Sequence, residues 1–486
     1  MRHFSINDVN MSDLKFGTSG LRGLVTELGD DVCRAYTLAF LKHLQSRHDV
    51  PADGLLLVGH DLRASSPRIA AACISAARAF GMRVENCGAL PTPALAFRAL
   101  SLHVPAIMVT GSHIPDDRNG LKFYRPDGEI DKSDEAGILA FLDLDQPAPP
   151  ASGEAALSQE ALSRYVARCA SLLPQGALAG RRIGVYQHSS VARDIMVDIL
   201  REAGAEAIGV GRSDVFVPVD TEALRPEDIA FAEKTCRELK LDALVSTDGD
   251  ADRPLIADEN GNFLRGDMVG LLTARFLGAD AVVTPVTSNT SIEHCGFFDH
   301  VYRTRVGSPY VIEGMGRAGS DGCRTIVGFE ANGGVLLGTS VTVGGNPLDA
   351  LPTRDAMLPI LSVLGMAARE GLSLSGLVAG LPARFTASGR LEHVPAEESS
   401  AFLKSLENAE AMRGFFVDAG SIRDSDRIDG TRVVLASGEL VHYRASGNAP
   451  ELRCYTEAAS KERAAELLAW GLDRARQALK DKEFSR

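Results

Sequence analysis

Short apolar runs bounded by turn residues alternate along this chain with stretches whose apolar residues recur at helical spacing. Gly54–His60 (GLLLVGH) reads as a buried strand. Ser65, Ser66 and Pro67 follow it, offering an N-cap hydroxyl and a proline for the first helical turn. A helix is predicted from there through Phe80, stopped by Gly81. A strand at Met82–Asn86, a helix near Pro93–Leu102 and a strand at Ala106–Thr110 complete the unit. The pattern recurs with a strand at Arg182–Gln187, a helix at Ala192–Ala203, Gly204 and a strand at Glu206–Val210. Ala281–Val286 begins a third copy. The last hundred residues differ: strands are predicted at Thr431–Ala436, Glu439–Arg444 and Glu451–Glu457, and an amphipathic helix at Lys461–Lys480. The fold class expected is α/β: three similar mixed-sheet domains in series and a C-terminal α+β domain. A Pro-, Ala- and Ser-rich linker at Asp145–Glu154 and boundaries near Asn260–Arg265 and Gly371–Pro382 set the domains at 1–150, 155–262, 263–375 and 383–486.

Composition narrows the classes of function. The 486 residues carry 51 Lys plus Arg against 64 Asp plus Glu, a formal net charge of −13. That balance argues against a nucleic-acid partner and against adhesion to anionic membranes, while one basic pocket for a phosphorylated ligand remains compatible with it. The N-terminus lacks a basic start followed by an apolar run, and the best candidate for a membrane span, around Val269–Val286, is broken by Arg275 and Asp280. Eight scattered cysteines without a CxxC pair read as free thiols, so a cytoplasmic enzyme is expected, monomeric or homodimeric.

Four loops carry candidate chemistry. In VTGSHIPDDRNGLKFY (109–124) the Ala106–Thr110 strand ends at Gly111, Ser112 and His113, placing a hydroxyl at a strand C-terminus, where open α/β sheets bind ligands. A capping serine, a loop histidine and a solvated hairpin lysine at 122 are the plain alternatives. In LDALVSTDGDADRPLIADE (241–259), Asp248, Asp250 and Asp252 suit a hard divalent cation, and Arg253 beside them suits phosphate. Glu259 stands at the twelfth position, as in an EF-hand. However, Arg253 occupies the position where that loop needs glycine, and strand-like flanks replace the required helices, so an EF-hand is rejected. In IVGFEANGGVLLG (326–338), Glu330 and Asn332 offer acceptors and donors for sugar hydroxyls, or form a plain turn. In YRASGNAPELRCYTEA (443–458), Arg444, Ser446, the amides of Gly447 and Asn448, and Arg453 compose an anion nest, or a hairpin with surface arginines. KFGTSGLRG (15–23), with Thr18, Ser19 and Arg22, has a similar composition.

Taken in order, KFGTSGLRG, GHDLRASSP, TGSHIP, DGDADR, GFEANGG and RASGNAPELR resemble the α-D-phosphohexomutase family of phosphomannomutases and phosphoglucomutases, over nearly the whole chain. The resemblance implies four domains around one cleft and a phosphoryl group on Ser112. It implies Mg²⁺ held by Asp248, Asp250, Asp252 and a phosphoserine oxygen. The implied reaction interconverts hexose 6-phosphate and hexose 1-phosphate through a hexose 1,6-bisphosphate, with mannose favoured and glucose as co-substrate. It further implies Lys122 and Arg22 as acid/base or electrostatic groups, and His113 as an orienting group. Substrate contacts are implied at Thr18, Ser19, Arg253, Gly307, Glu330, Asn332, Arg444, Ser446, Gly447, Asn448 and Arg453. Departures bear on the details. Ile114 stands where many members have Asn, Asn448 and Ala449 replace Thr-Glu, and Asn332 and Gly334 replace a common Ser and His. RTRVGSPYV (303–311) and Ser288-Asn289 look like phosphoglucosamine mutases, which leaves that activity as an alternative, with a Mg²⁺-dependent sugar-phosphate phosphatase as another.

Overall fold

In the computed structural model, which describes residues 14–17, 20–50, 54–144, 155–446 and 450–481, the first apolar runs become a mixed sheet. Its strands are β1 (Lys15–Gly17), β2 (Gly20–Leu24), β3 (Leu55–His60), β4 (Arg83–Ala89), β5 (Ala106–Val109), β6 (Arg118–Arg125) and β7 (Gly128–Glu129). They lie in the order β1-β2-β6-β5-β3-β4, with β7 beside β6. β3 runs parallel to β4 and β5, whereas β6 is antiparallel to β5 and β2. The parallel connections pass through helices at Ser66–Ala79 and Thr92–Leu102. Ile69 and Cys73 of the first of these helices, with Phe40 and Leu41 of the helix Asp30–Ser46, close over Leu56, Val58, Ile107 and Phe123 of the sheet. Full burial of each large apolar side chain contributes about 1.5–3 kcal/mol.

One local expectation is corrected. Ser65 has helical backbone angles and its side chain makes no cap hydrogen bond. Ser66 Oγ instead donates to Asp61 Oδ1 at 2.5 Å, and Ser65 Oγ accepts from Asn119 Nδ2 at 2.8 Å. A buried carboxylate is the stronger claim on a serine hydroxyl, and Pro67 takes the second helical position, one later than expected, where its missing N–H still forfeits no intrahelical bond.

The second segment has β8 (Arg182–His188), β9 (Glu206–Arg212), β10 (Ala243–Thr247) and β11 (Pro254–Ala257), in the order β11-β10-β8-β9. β8 is parallel to β9 and β10, and β11 closes an antiparallel hairpin on β10. The third carries β12 (Ala281–Pro285), β13 (His300–Thr304), β14 (Ile326–Phe329), β15 (Val335–Leu337), β16 (Val341–Val343), β17 (Asn346–Leu348) and β18 (Leu351–Asp355). β15 pairs antiparallel with both β14 and β18, and β16 with β17.

The C-terminal sheet comprises β19 (Phe385–Glu392), β20 (Ile422–Asp426), β21 (Thr431–Leu435), β22 (Leu440–Ala445) and β23 (Glu451–Ala458), all antiparallel in the order β19-β23-β22-β21-β20. Helix Lys461–Asp481 packs on β19 and β23 and buries Leu467 and Ala475 with Tyr443, Leu452 and Cys454. At the β20–β21 turn Gly430 has φ +90°, and a Cβ there would strike the Tyr443 carbonyl oxygen. Described residues of Met1–Val282 and Met315–Val378 form one compact unit, and those of Val283–Gly314 and Ala379–Arg486 another.

Candidate active site

The chain leaves β5 through Thr110 and Gly111 and turns sharply at Ser112, which has φ +54° and is 1% exposed. Its amide donates to Thr110 Oγ1 at 2.8 Å. Its hydroxyl donates to Asp248 Oδ2 at 2.7 Å and lies 3.2 Å from His113 Nδ1. The serine at a strand end thus meets the acidic loop of the second segment.

That loop is the β10–β11 hairpin, flanked by strands and not helices. Asp248 N donates to the Arg253 carbonyl at 3.1 Å, and Asp248 Oδ1 accepts from the amides of Asp252 and Arg253 at 3.2 Å each. With Ala251 at φ +58° the backbone doubles back, bringing ligand atoms of Asp248, Asp250 and Asp252 within 4.8 Å of one another. Asp250 Oδ1 and Asp252 Oδ1 are buried without a hydrogen-bond partner. Orphaned carboxylate oxygens converging in this way fit a hard divalent cation, which prefers oxygen ligands.

Cations of the chain itself balance the remaining oxygens. Lys122 Nζ donates to Asp250 Oδ2 at 2.6 Å and Asp252 Oδ2 at 2.7 Å. Lys122 is 5% exposed in β6, not on a solvated hairpin. Arg354, at the end of β18, lies 2.9 Å from Asp252 Oδ2 and donates to Glu330 Oε1 at 3.3 Å. Thr92, opening its helix, donates its amide to the Asp250 carbonyl at 2.9 Å and its hydroxyl to Asp250 Oδ2 at 2.5 Å.

Proton affinities follow from this arrangement. Burial, then Asp250 and Asp252, push the Asp248 carboxyl well up. Burial also acts upward on Asp252, but Arg354, Lys122 and Arg253 outweigh it and hold its carboxyl far down. Burial lowers the Lys122 ammonium, yet Asp250 and Asp252 more than offset that and raise it. The lowered lysine that a general base would need is therefore not what the chain alone provides. Arg22 is brought down to about 10 by burial, then by Arg253 and Arg354. His113 falls to about 4, through burial and then Arg253. Arg253 Nη1 lies 3.1 Å from His113 Nδ1 and can only donate, which assigns the imidazole as neutral with its proton on Nε2.

Glu330 and Asn332 also reach this unit's site, 5% and 6% exposed. Asn332 Oδ1 accepts from Gly334 N at 2.9 Å, and its carbonyl accepts from Thr221 Oγ1 at 2.8 Å. In the C-terminal unit Arg444 and Arg453 are direct cross-strand partners on β22 and β23. Arg444 Nε donates to Asp429 Oδ2 at 2.7 Å, and the same oxygen accepts from Val306 N at 3.0 Å, beside Gly307 at φ +129°. Ser446 N donates to the Glu451 carbonyl at 3.0 Å, and Arg453 Nη2 is 3.4 Å from Glu451. Thr18, Ser19, Gly447 and Asn448 lie outside the described residues. Sequence reasoning missed Arg354, Thr92 and Asp429. A charge at the end of a short apolar strand and a hydroxyl before a helix were the available signals for the first two.

Comparison with known proteins decides the family. Four stretches match the phosphoglucomutase/phosphomannomutase models: alpha/beta/alpha domain I over 13–146, domain II over 163–261, domain III over 265–385 and the C-terminal domain over 394–469. The chain belongs to the phosphoglucomutase/phosphomannomutase family. It is thus a phosphohexomutase, built from three α/β domains and a C-terminal domain in series. A phosphomannomutase of Sinorhizobium fredii (strain NBRC 101917 / NGR234) is 48% identical over 464 residues, covering 94% of this chain and 98% of that one. One of Salmonella muenchen is 44% identical over 462 residues, covering 95% of each. Relatives named phosphoglucosamine mutase are more distant, at 28% and 31% identity. A solved phosphoglucomutase/phosphomannomutase family protein of Burkholderia thailandensis shares the fold, with a TM-score of 0.75 at 20% identity over 95% of this chain and 97% of that one. Among the described residues no helix is long and apolar enough to cross a membrane.

Proposed function

We propose that the protein interconverts mannose 6-phosphate and mannose 1-phosphate, and the corresponding glucose phosphates, by way of a phosphorylated Ser112 and a hexose 1,6-bisphosphate. The observation that carries this reading is Ser112 Oγ at 2.7 Å from Asp248, with two orphaned aspartate oxygens alongside. The mannose assignment leans on the names of the two relatives at 48% and 44% identity described above.

Phosphoserine passes its phosphoryl group to the free hydroxyl of the bound hexose phosphate. The bisphosphate then returns its other phosphoryl group to Ser112 Oγ after reorienting. Asp248, Asp250, Asp252 and a phosphoserine oxygen are the groups that would hold Mg²⁺, which when bound supplies Lewis-acid stabilisation of charge on the transferring group. Arg253, with neutral His113 against it, presents a fixed cation to the phosphoryl oxygens. Arg22 and Lys122 stabilise charge at the reacting oxygens. Lys122, kept protonated by its carboxylates, serves as counter-ion and proton donor; Arg22, still a cation at about 10, acts on charge and not as a proton acceptor. Glu330 and Asn332 bind ring hydroxyls. Thr18 and Ser19, and in the C-terminal unit Gly307, Arg444, Ser446, Gly447, Asn448 and Arg453, bind the sugar and its non-transferring phosphate. By chain order these groups fall in all four segments, 1–150, 155–262, 263–375 and 383–486. Free cysteines at 33, 73, 87, 169, 236, 295, 323 and 454 support a reducing, cytoplasmic setting.

Intact-mass and peptide analysis of Ser112 tests the reading, together with Ser112→Ala assayed on hexose 1-phosphates with bisphosphate activator. One phosphoryl group on Ser112 and loss of isomerisation in Ser112→Ala are expected. Full mutase activity in Ser112→Ala refutes it. Release of inorganic phosphate without isomerisation makes the protein a phosphatase, and fastest turnover of glucosamine phosphate moves the sugar assignment.

A further inference from the structure

Ser112 adopts a left-handed backbone conformation that costs an ordinary L-residue about 1–2 kcal/mol, so something nearby must hold it there. The holder is Arg63, which is 1% exposed. Its Nη1 donates to the carbonyls of Pro115 at 2.8 Å and Arg118 at 3.0 Å. Its Nη2 donates to those of Ser112 at 3.0 Å and Ile114 at 2.6 Å. Its Nε lies 3.3 Å from Asp61 Oδ2. All three nitrogens of the guanidinium are therefore directed at the nucleophile loop or at one carboxylate.

Asp61 joins the same network from the other side. Its Oδ1 accepts from Arg63 N and Ser66 Oγ, and its Oδ2 accepts from Thr110 Oγ1 at 2.8 Å. Thr110 Oγ1 in turn accepts from Ser112 N. The serine is thus gripped at its carbonyl by Arg63 and at its amide through Asp61 and Thr110. The Phe216 ring covers the guanidinium, 3.8 Å from its central carbon, and shields these hydrogen bonds from water. Gly111 is required by the same contact, because a Cβ there would come within 2.7–2.9 Å of the guanidinium. None of these atoms reaches Ser112 Oγ, so the network acts on the loop and not on the reacting group.

We propose that Arg63, set by Asp61 and Thr110, is a positioning residue that fixes the loop carrying Ser112, so that its phosphoryl group is delivered to a sugar hydroxyl and not to water. The inference rests on Ser112 being the phosphorylated nucleophile. Lysine cannot replace this arginine, since one ammonium cannot serve four carbonyls arranged along two edges of a planar fork. When the loop loosens, the serine ester hydrolyses: the Oγ–P bond breaks, a water oxygen bonds to phosphorus, one water proton passes to Oγ and the other leaves with the phosphate.

The test compares Arg63→Lys and Thr110→Val with wild type and Ser112→Ala, measuring kcat and KM for hexose 1-phosphate and inorganic phosphate released per isomerisation. Misplacement of a reacting group by about 1 Å costs on the order of 100-fold, so kcat in Arg63→Lys is expected to fall about 10- to 100-fold. KM should stay within about threefold and phosphate release per turnover should rise about tenfold, on the same scale of misplacement. Thr110→Val, which keeps the arginine and nearly the same volume, should shift both quantities in the same directions by smaller factors. Should Arg63→Lys not fold, as judged by circular dichroism, Thr110→Val alone decides by the same criteria. A folded variant with wild-type kcat and phosphate release overturns the proposal. So does a loss of activity that only tracks the folded fraction. Activity retained by Ser112→Ala would instead overturn the phosphoserine reading itself, which keeps the two failures apart.

Discussion

Replacing Lys122 by methionine keeps the apolar stem and removes the ammonium lying 2.6 and 2.7 Å from Asp250 and Asp252. At an effective dielectric near 20, each contact is worth about 6 kcal/mol of Coulomb attraction. Desolvation cancels much of this, and breaking a buried pair by removing one partner costs about 3–5 kcal/mol in practice. Arg354, 2.9 Å from Asp252, still neutralises one of the two carboxylates, so the low end, about 3 kcal/mol, is expected. In a domain of this size that corresponds to a fall of roughly 10 °C in Tm in the presence of EDTA. A divalent cation answers the same unmet charge without having to compete with the ammonium. Saturating Mg²⁺ should therefore raise the Tm of Lys122→Met by more than it raises that of wild type, closing most of the gap. Differential scanning calorimetry at matched ionic strength, with and without Mg²⁺, reads both quantities. Equal melting of the two proteins in EDTA, or a gap that Mg²⁺ leaves untouched, refutes the account of Lys122 as counter-ion of the metal loop.

His113 is held at about 4, below the ordinary value of 6.5, so between those limits the unfolded chain binds the extra proton and stability rises with pH. Acidifying from pH 6.5 to 4 should cost wild type roughly 3 kcal/mol through this group, and His113→Asn should lose correspondingly less. Urea midpoints at pH 4.5 and 7 measure the difference, and equal losses in the two proteins refute it. Gly430→Ala forces a side chain into a φ +90° turn against the Tyr443 carbonyl and should destabilise the C-terminal unit by about 1–3 kcal/mol. The sole tryptophan, Trp470, packs 5.6 Å from Phe416 in that core, so its fluorescence follows the urea transition directly; an unchanged midpoint contradicts the steric argument.

The sequence made the interior strands legible because they are buried on both faces and read as continuous apolar runs. β3 and β5 are of this kind, and expectation and structure differ there by one residue at an end. β19 (FTASGRLE) and β20 (IRDSD) were missed: they are the edges of their sheet, β20 is largely exposed with one apolar residue, and the alternation of β19 rests on Ala387 and Gly389 at its centre, too small to mark a strand. Convergence of Ser112 with the three aspartates was suggested by motif order, whereas the groups balancing them were not. Arg354 lies about a hundred residues beyond Asp252, and no local pattern shows that a strand end will fold back onto it. The serine pair at 65 and 66 failed as a cap for a related reason: Asp61, only a few positions earlier, became the competing partner once buried.

The three α/β domains look like interchangeable modules, yet the bonds between them say otherwise. Ser112 with Asp248, Thr92 and Lys122 with Asp250, and Arg354 with Asp252 each join one domain to another. The acidic loop belongs to the second domain by chain order, but its charge balance is written into the first and third. Exchanging that domain alone with a relative would separate every one of these pairs at once. Recombination within such a chain should therefore succeed when the first three domains travel together.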